Sequence, residues 1–205
     1  NGIHHHYSMD KFVPEFSAEF FAEQVKALPT EALPLAEGQS VDELVATLSP
    51  VIFDPAVMAK RVNQAQGQDL ILTSANNLYE GITQQEVEAY YNKLKDPKDQ
   101  TPISYGLNTK LVKIDGKVVE LPYKAGGLYG EAIEKIVYWL KKAEEVAEND
   151  AQKAHIGKLI SFYETGDLKT FDEYSILWAQ DTISQVDFVN GFIESYGDPL
   201  GMKGA

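Results

Sequence analysis

Lys110-Leu-Val-Lys-Ile-Asp-Gly-Lys-Val-Val-Glu-Leu121 is the stretch whose reading decides the fold. Two runs rich in β-branched residues flank Asp115-Gly116, the dipeptide that accepts left-handed dihedrals at both corners of a two-residue hairpin turn. The pattern predicts an antiparallel hairpin over 110–121. Its neighbours read as helix. Upstream, Thr83-Gln-Gln-Glu86 is a capping box, followed by an apolar stripe of Val87, Tyr90, Tyr91 and Leu94. Downstream, Gly126-Gly127 breaks the chain before a helix that should reach about Glu148. Its stripe is Tyr129, Ala132, Ile133, Ile136, Leu140, Ala143 and Ala147.

Working outward, 150–165 reads as a further helix stopped by Gly166, with His155 alone on a polar, solvated face. Thr170-Phe-Asp-Glu173 opens a last helix, ending near Asp181. Towards the start, Ser17 caps a short helix carrying Phe20, Phe21, Val25 and Leu28, ended by Pro29. Ser40-Val-Asp-Glu43 is another capping box, and Asp54-Pro55 predicts a helix start running to about Gln64. Residues 1–13 read as extended, up to Pro14, and 186–196 as a closing strand. Helices with strands at both ends and a hairpin between make an α+β pattern, not the alternation of a parallel sheet.

Composition narrows the function. Hydrophobic residues at 44% and aromatics at 11% support a packed core. At 205 residues the chain reads as a single domain over 1–205. A net charge of -13 argues against nucleic acid and anionic membranes, which attract basic patches. No run is long and apolar enough for a membrane span. With no cysteine there is neither a disulfide framework nor a thiol nucleophile. His4 and His6 would share a strand face, yet two imidazoles make no closed or catalytic metal site. The acidic run Glu144-Glu145 to Asp150 reads as a solvated helix end.

The closing strand carries the chemistry. Its even positions Val186, Phe188, Asn190, Phe192, Glu194 and Tyr196 share one face, so an acid sits among aromatic rings. An acid there needs a partner to offset lost hydration. Two readings stand: a surface Glu beyond a kink at Gly191, or a carboxylate that receives a ligand's ammonium.

Trp178-Ala-Gln-Asp181, Val186-Asp-Phe188, Gly191-Phe-Ile-Glu-Ser-Tyr196 and Asp198-Pro199 occur here in that order. With Lys11-Phe-Val-Pro14, the helix opening at Tyr129 and Phe162-Tyr-Glu-Thr-Gly166, they resemble the dipeptidyl-peptidase III family, peptidase family M49, and its Bacteroides-type bacterial members. The resemblance implies a helical lobe around a small antiparallel β-barrel or sheet. It also implies a cytoplasmic zinc exopeptidase that removes dipeptides from peptide N-termini. It assigns Glu194 and Tyr196 to holding the N-terminal end of an oligopeptide. It also places His6, Tyr7 and Ser8 where the family presents a short segment to substrate, though Tyr7 reads equally well as packing in the barrel wall.

The sequence departs from the family in one respect. The zinc-binding HExxGH pattern is absent: none of the four histidines, His4, His5, His6 and His155, is followed by Glu. The chain therefore reads as the substrate-binding, non-zinc lobe of a longer two-lobed enzyme, inactive alone and needing the catalytic lobe as partner. Zinc belongs to the parent and no cofactor to this piece. A non-enzymatic peptide- or protein-binding module is the alternative reading.

Overall fold

The hairpin forms where Asp115-Gly116 predicts it. In a computed structural model, which describes residues 2–191 and 195–204, β2 (Thr109–Ile114) and β3 (Lys117–Pro122) pair antiparallel, with Ile114 opposite Lys117. Asp115 and Gly116 both take positive φ, 49° and 76°, as a type I′ turn requires. A short strand β1 (Tyr79–Glu80) joins the other edge of β2 in parallel, Tyr79 opposite Leu111. The sheet is thus mixed, in the order β1-β2-β3, where the resemblance implied an antiparallel barrel or sheet, and among the described residues it is not closed into a barrel. The reason is local: α3 (Gln84–Leu94) connects β1 to β2, and a helical crossover returns the chain in the same direction.

The chain forms two compact units, Asn1–Ala75 and Asn76–Ala205. In the first, α1 (Ala18–Lys26) starts at Ser17, whose side chain accepts from the Phe20 N–H, and α2 (Val41–Phe53) starts at the Ser40–Glu43 capping box. The helix expected after Asp54-Pro55 is absent. Asp54 instead ends α2, its carboxylate accepts from the Ala56 N–H at 2.8 Å, and Met58 turns left-handed at φ 50°. An Asx turn and an N-cap use the same Asp-to-backbone bond, and nothing amphipathic follows to favour the cap. The extended start is likewise a loop. His4 bridges Lys11, the His5 N–H donates to the Asp10 carbonyl, and Met9 is left-handed at φ 64°.

In the second unit α4 (Gly130–Glu145), α5 (Asp150–Thr165) and α6 (Leu168–Gln180) pack in sequence. Ile133 and Val137 of α4 meet Ile156 and Ile160 of α5. On the other flank Leu159 and Phe162 meet Leu168 and Tyr174. Because α5 is covered from two sides, His155 is buried, 1% exposed, with Nε2 3.4 Å from the Asp181 carboxylate. That overturns its solvated reading. Helix α6 also begins earlier than expected: Gly166 ends α5 at φ 73°, and Asp167 caps the Thr170 N–H at 2.9 Å. The fold is α+β and predominantly helical, and the described part of the closing segment, 186–191 and 195–196, is not a strand.

Candidate functional site

The chain leaving α6 at Asp181 doubles back along α5. Gln152 Nε2 donates to the Val186 carbonyl at 2.8 Å, and the Tyr163 hydroxyl donates to Asn190 Oδ1 at 2.9 Å. From Gln152 to Tyr163 the helix rises about 16 Å. The backbone from Val186 to Asn190 reaches about 14 Å at full extension. The segment 181–190 therefore runs along α5 as a strap, bending at Ile183, Gln185 and Val186 and extended only over 187–190, without belonging to a sheet.

Side chains do what a β-ladder would have done. The Asp181 carboxylate accepts from the Ile183 and Ser184 N–H groups, each at 3.2 Å, and from the Ser184 hydroxyl. Glu148 accepts from the Gln185 and Val186 N–H groups at 2.9 and 2.7 Å. Its role corrects the reading of the acidic run as merely solvated. Trp178 Nε1 donates to Asp187 Oδ1 at 2.9 Å, and the Tyr174 hydroxyl to the Asn190 carbonyl at 3.3 Å. The Ser184 hydroxyl holds Asp181 below the usual carboxylate range, and the two backbone donors do the same for Glu148. Both stay charged at neutral pH. Val189 is left bare: it is 76% exposed, and among the described residues its N–H and C=O have no hydrogen-bond partner.

An apolar groove of ≈ 470 Å³ opens beside the end of the strap, between Asn190-Gly191 and the rings of Tyr123, Tyr129, Tyr163 and Phe171. Tyr129 caps α4 from the left-handed region at φ 55°, and its ring lies 5.7 Å from that of Tyr123. Such a lining suits an apolar side chain.

Beyond Tyr196 the chain is anchored by buried charge, which no sequence pattern signals. Asp198, 1% exposed, accepts from the Tyr79 hydroxyl at 2.8 Å and from the N–H groups of Leu200, Met202 and Lys203 at 3.0, 2.9 and 2.8 Å. Lys203 is also 1% exposed. Its Nζ donates to the Tyr91 hydroxyl at 2.8 Å, Thr109 Oγ1 at 3.0 Å and the Gly106 carbonyl at 3.2 Å. Those two hydroxyls donate onward to Glu120 Oε1, so their lone pairs face the ammonium. Burial lowers the Lys203 amine to about 8, against the pull of Glu120 and Asp198. Burial also raises the hydroxyls of Tyr79 and Tyr91.

The residues read from sequence fall in three places. Tyr196 is exposed, ahead of the Asp198 anchor. His6, Tyr7 and Ser8 belong to the first unit, in a turn closed by His5 Nδ1, which accepts from the Tyr7 and Ser8 N–H groups at 3.2 and 3.1 Å. Tyr7 is 84% exposed, with the His6 ring edge-on at 4.9 Å. Glu194 lies outside the described residues. His4 does not share a face with His6: it is buried, its Nε2 2.6 Å from the Met58 carbonyl. Among the described residues no group of three or more His, Cys, Asp or Glu could hold a metal ion. The donors present do not fit a zinc site, and no chemistry here runs through one.

With this geometry established, comparison with known proteins defines the class. The family model for peptidase family M49 matches residues 100–205. Human dipeptidyl peptidase 3 is 35% identical over 78 residues, which is 38% of this chain and 11% of that protein. The Dictyostelium discoideum dipeptidyl peptidase 3 is 30% identical over 92 residues, 45% of this chain and 13% of that one. In fold, the chain is similar to the solved structure of DPP III from Caldithrix abyssi, with a TM-score of 0.50 at 21% identity over 92% of this chain and 33% of that one. The chain belongs to peptidase family M49. It spans only 11–13% of the length of those curated relatives.

Proposed function

We propose that this chain is the substrate-binding, non-zinc lobe of a cytoplasmic dipeptidyl-peptidase III-like zinc exopeptidase, and that it binds the N-terminus of an oligopeptide. The single observation that carries the reading is the strap. An extended stretch, 187–190, whose exposed Val189 backbone lacks partners among the described residues offers an edge to which an extended peptide can hydrogen-bond. That edge leads directly into the Gly191-Phe-Ile-Glu-Ser-Tyr196 string shared with the family. In this reading Glu194 and Tyr196 hold the N-terminal end of the peptide, as the family resemblance implies, and the same resemblance gives His6, Tyr7 and Ser8 of the first unit a substrate-contacting role. Hydrolysis would fall to a catalytic lobe elsewhere in the parent protein, and this chain alone would cut nothing.

A charge-assisted bond to an ammonium is roughly twice as strong as a neutral one. Calorimetry should therefore show tetra-alanine binding at least about tenfold tighter than N-acetyl-tetra-alanine, about 1.4 kcal/mol. Glu194→Gln should remove that difference. Equal affinities for the two peptides in the unaltered chain would defeat the reading.

A further inference from the structure

The segment after Tyr196 has no regular secondary structure, so no ladder sets its register. Two side chains do so instead. The Asp198 carboxylate gathers three backbone N–H groups and one hydroxyl, while the Asp198 N–H donates to the Ser195 carbonyl at 3.0 Å. Lys203 then plugs a cage formed by Tyr79, Tyr91, Gly106 and Thr109, its Nζ 5.2 Å from the centroids of both tyrosine rings. The Gly204 N–H adds a bond to the Leu107 carbonyl at 2.9 Å. Burying an ammonium costs several kcal/mol even when it is paired, and an apolar plug of similar volume often stabilises more. A charged plug has a different advantage. It fits only where three acceptors converge, so a one-residue slip of the chain would leave both the ammonium and the acceptors unpaired.

We propose that Asp198 and Lys203 are positioning residues for peptide binding: they fix the register in which Ser195 and Tyr196 are presented. The inference rests on the peptide-binding reading of that segment. It assigns no contact with peptide to either residue. Their influence passes through the Asp198 N–H to Ser195 carbonyl bond and through the turn that closes on it.

The test uses the full chain carrying Lys203→Met, which keeps the volume and removes the charge. Amide exchange and nitrogen-15 NMR are followed together with tetra-alanine calorimetry. The Asp198 amide should exchange about tenfold faster, the Ser195 and Tyr196 signals should broaden or split, and hairpin amides should stay within about twofold of their original rates. Tetra-alanine affinity should fall about tenfold. A purely stabilising role would speed exchange throughout the unit and leave the Ser195 and Tyr196 signals single, and that result overturns the proposal. Should Lys203→Met not fold, Tyr79→Phe deletes one bond to Asp198 and should speed its exchange about threefold; an unchanged rate overturns the proposal equally. If the unaltered chain binds no tetra-alanine, the peptide-binding reading fails, while the NMR arm still decides whether the two residues set the register.

Discussion

Gly106 shows what one missing side chain permits. Its φ is 84°, and a Cβ built there would lie 2.6 Å from the Tyr91 hydroxyl oxygen, the atom that accepts from Lys203. Any other residue must strain the backbone and push the ring out of the cage. Gly106→Ala should therefore destabilise the unit by about 2 kcal/mol or more, read as a lower urea midpoint at constant slope. A midpoint unchanged from the parent would show that the cage is looser than its geometry implies. None of this was legible in the sequence. Lys203 lies between Met202 and Gly204, a lysine is ordinarily expected to be solvated, and its acceptors lie far away along the chain. His155 was opaque for a related reason: whether its face is wet depends on whether a second helix covers α5.

At the scale of elements, what was legible is what short-range bonds decide. The Ser40 and Thr83 capping boxes, the Asp115-Gly116 turn and the Gly166 stop all form where they were read. Each is complete within a few residues. Asp54-Pro55 and Thr170 misled because several local motifs share one grammar: Asp54 makes a turn, and Thr170 is the residue capped by Asp167. The strap was misread as a strand because alternation reports an extended chain but not the partner that pairs with it.

Its dependence on carboxylates gives the strap a pH signature. Glu148 and Asp181 have folded pKa values below their unfolded ones, so their contribution is present above about pH 4 and is lost as pH falls through the folded values. The Gln185 and Val186 amide resonances should move upfield below about pH 4, and Glu148→Gln should abolish the Glu148-dependent shift. Amides insensitive to acid down to global unfolding would contradict this arrangement.

For the whole molecule, the opposite end of the pH scale is more informative. The folded chain releases the Lys203 proton at about 8. The unfolded chain holds it to about 10.4. Between those values the unfolded state binds more protons, so stability should rise with pH. Above about pH 10 the unfolded tyrosines ionise first, while Tyr79, Tyr91 and Tyr174 (the last pushed up to about 12) keep their protons, so stability should fall again. Urea midpoints at pH 7, 9 and 11 should trace a maximum near 9, and Lys203→Met should flatten the rising limb. A midpoint lower at pH 9 than at 7 would contradict the burial of a charged amine.

The cage also sets a timetable. Tyr79 and Asp198 are 119 positions apart in sequence, and Tyr91 and Lys203 are 112 apart. Contacts of such separation are made late, after a long loop has closed. On a ribosome adding about 5–20 residues per second, Tyr91 would wait roughly 5–20 s for its lysine. Throughout that interval the nascent sheet carries Glu120 without the Lys203 ammonium.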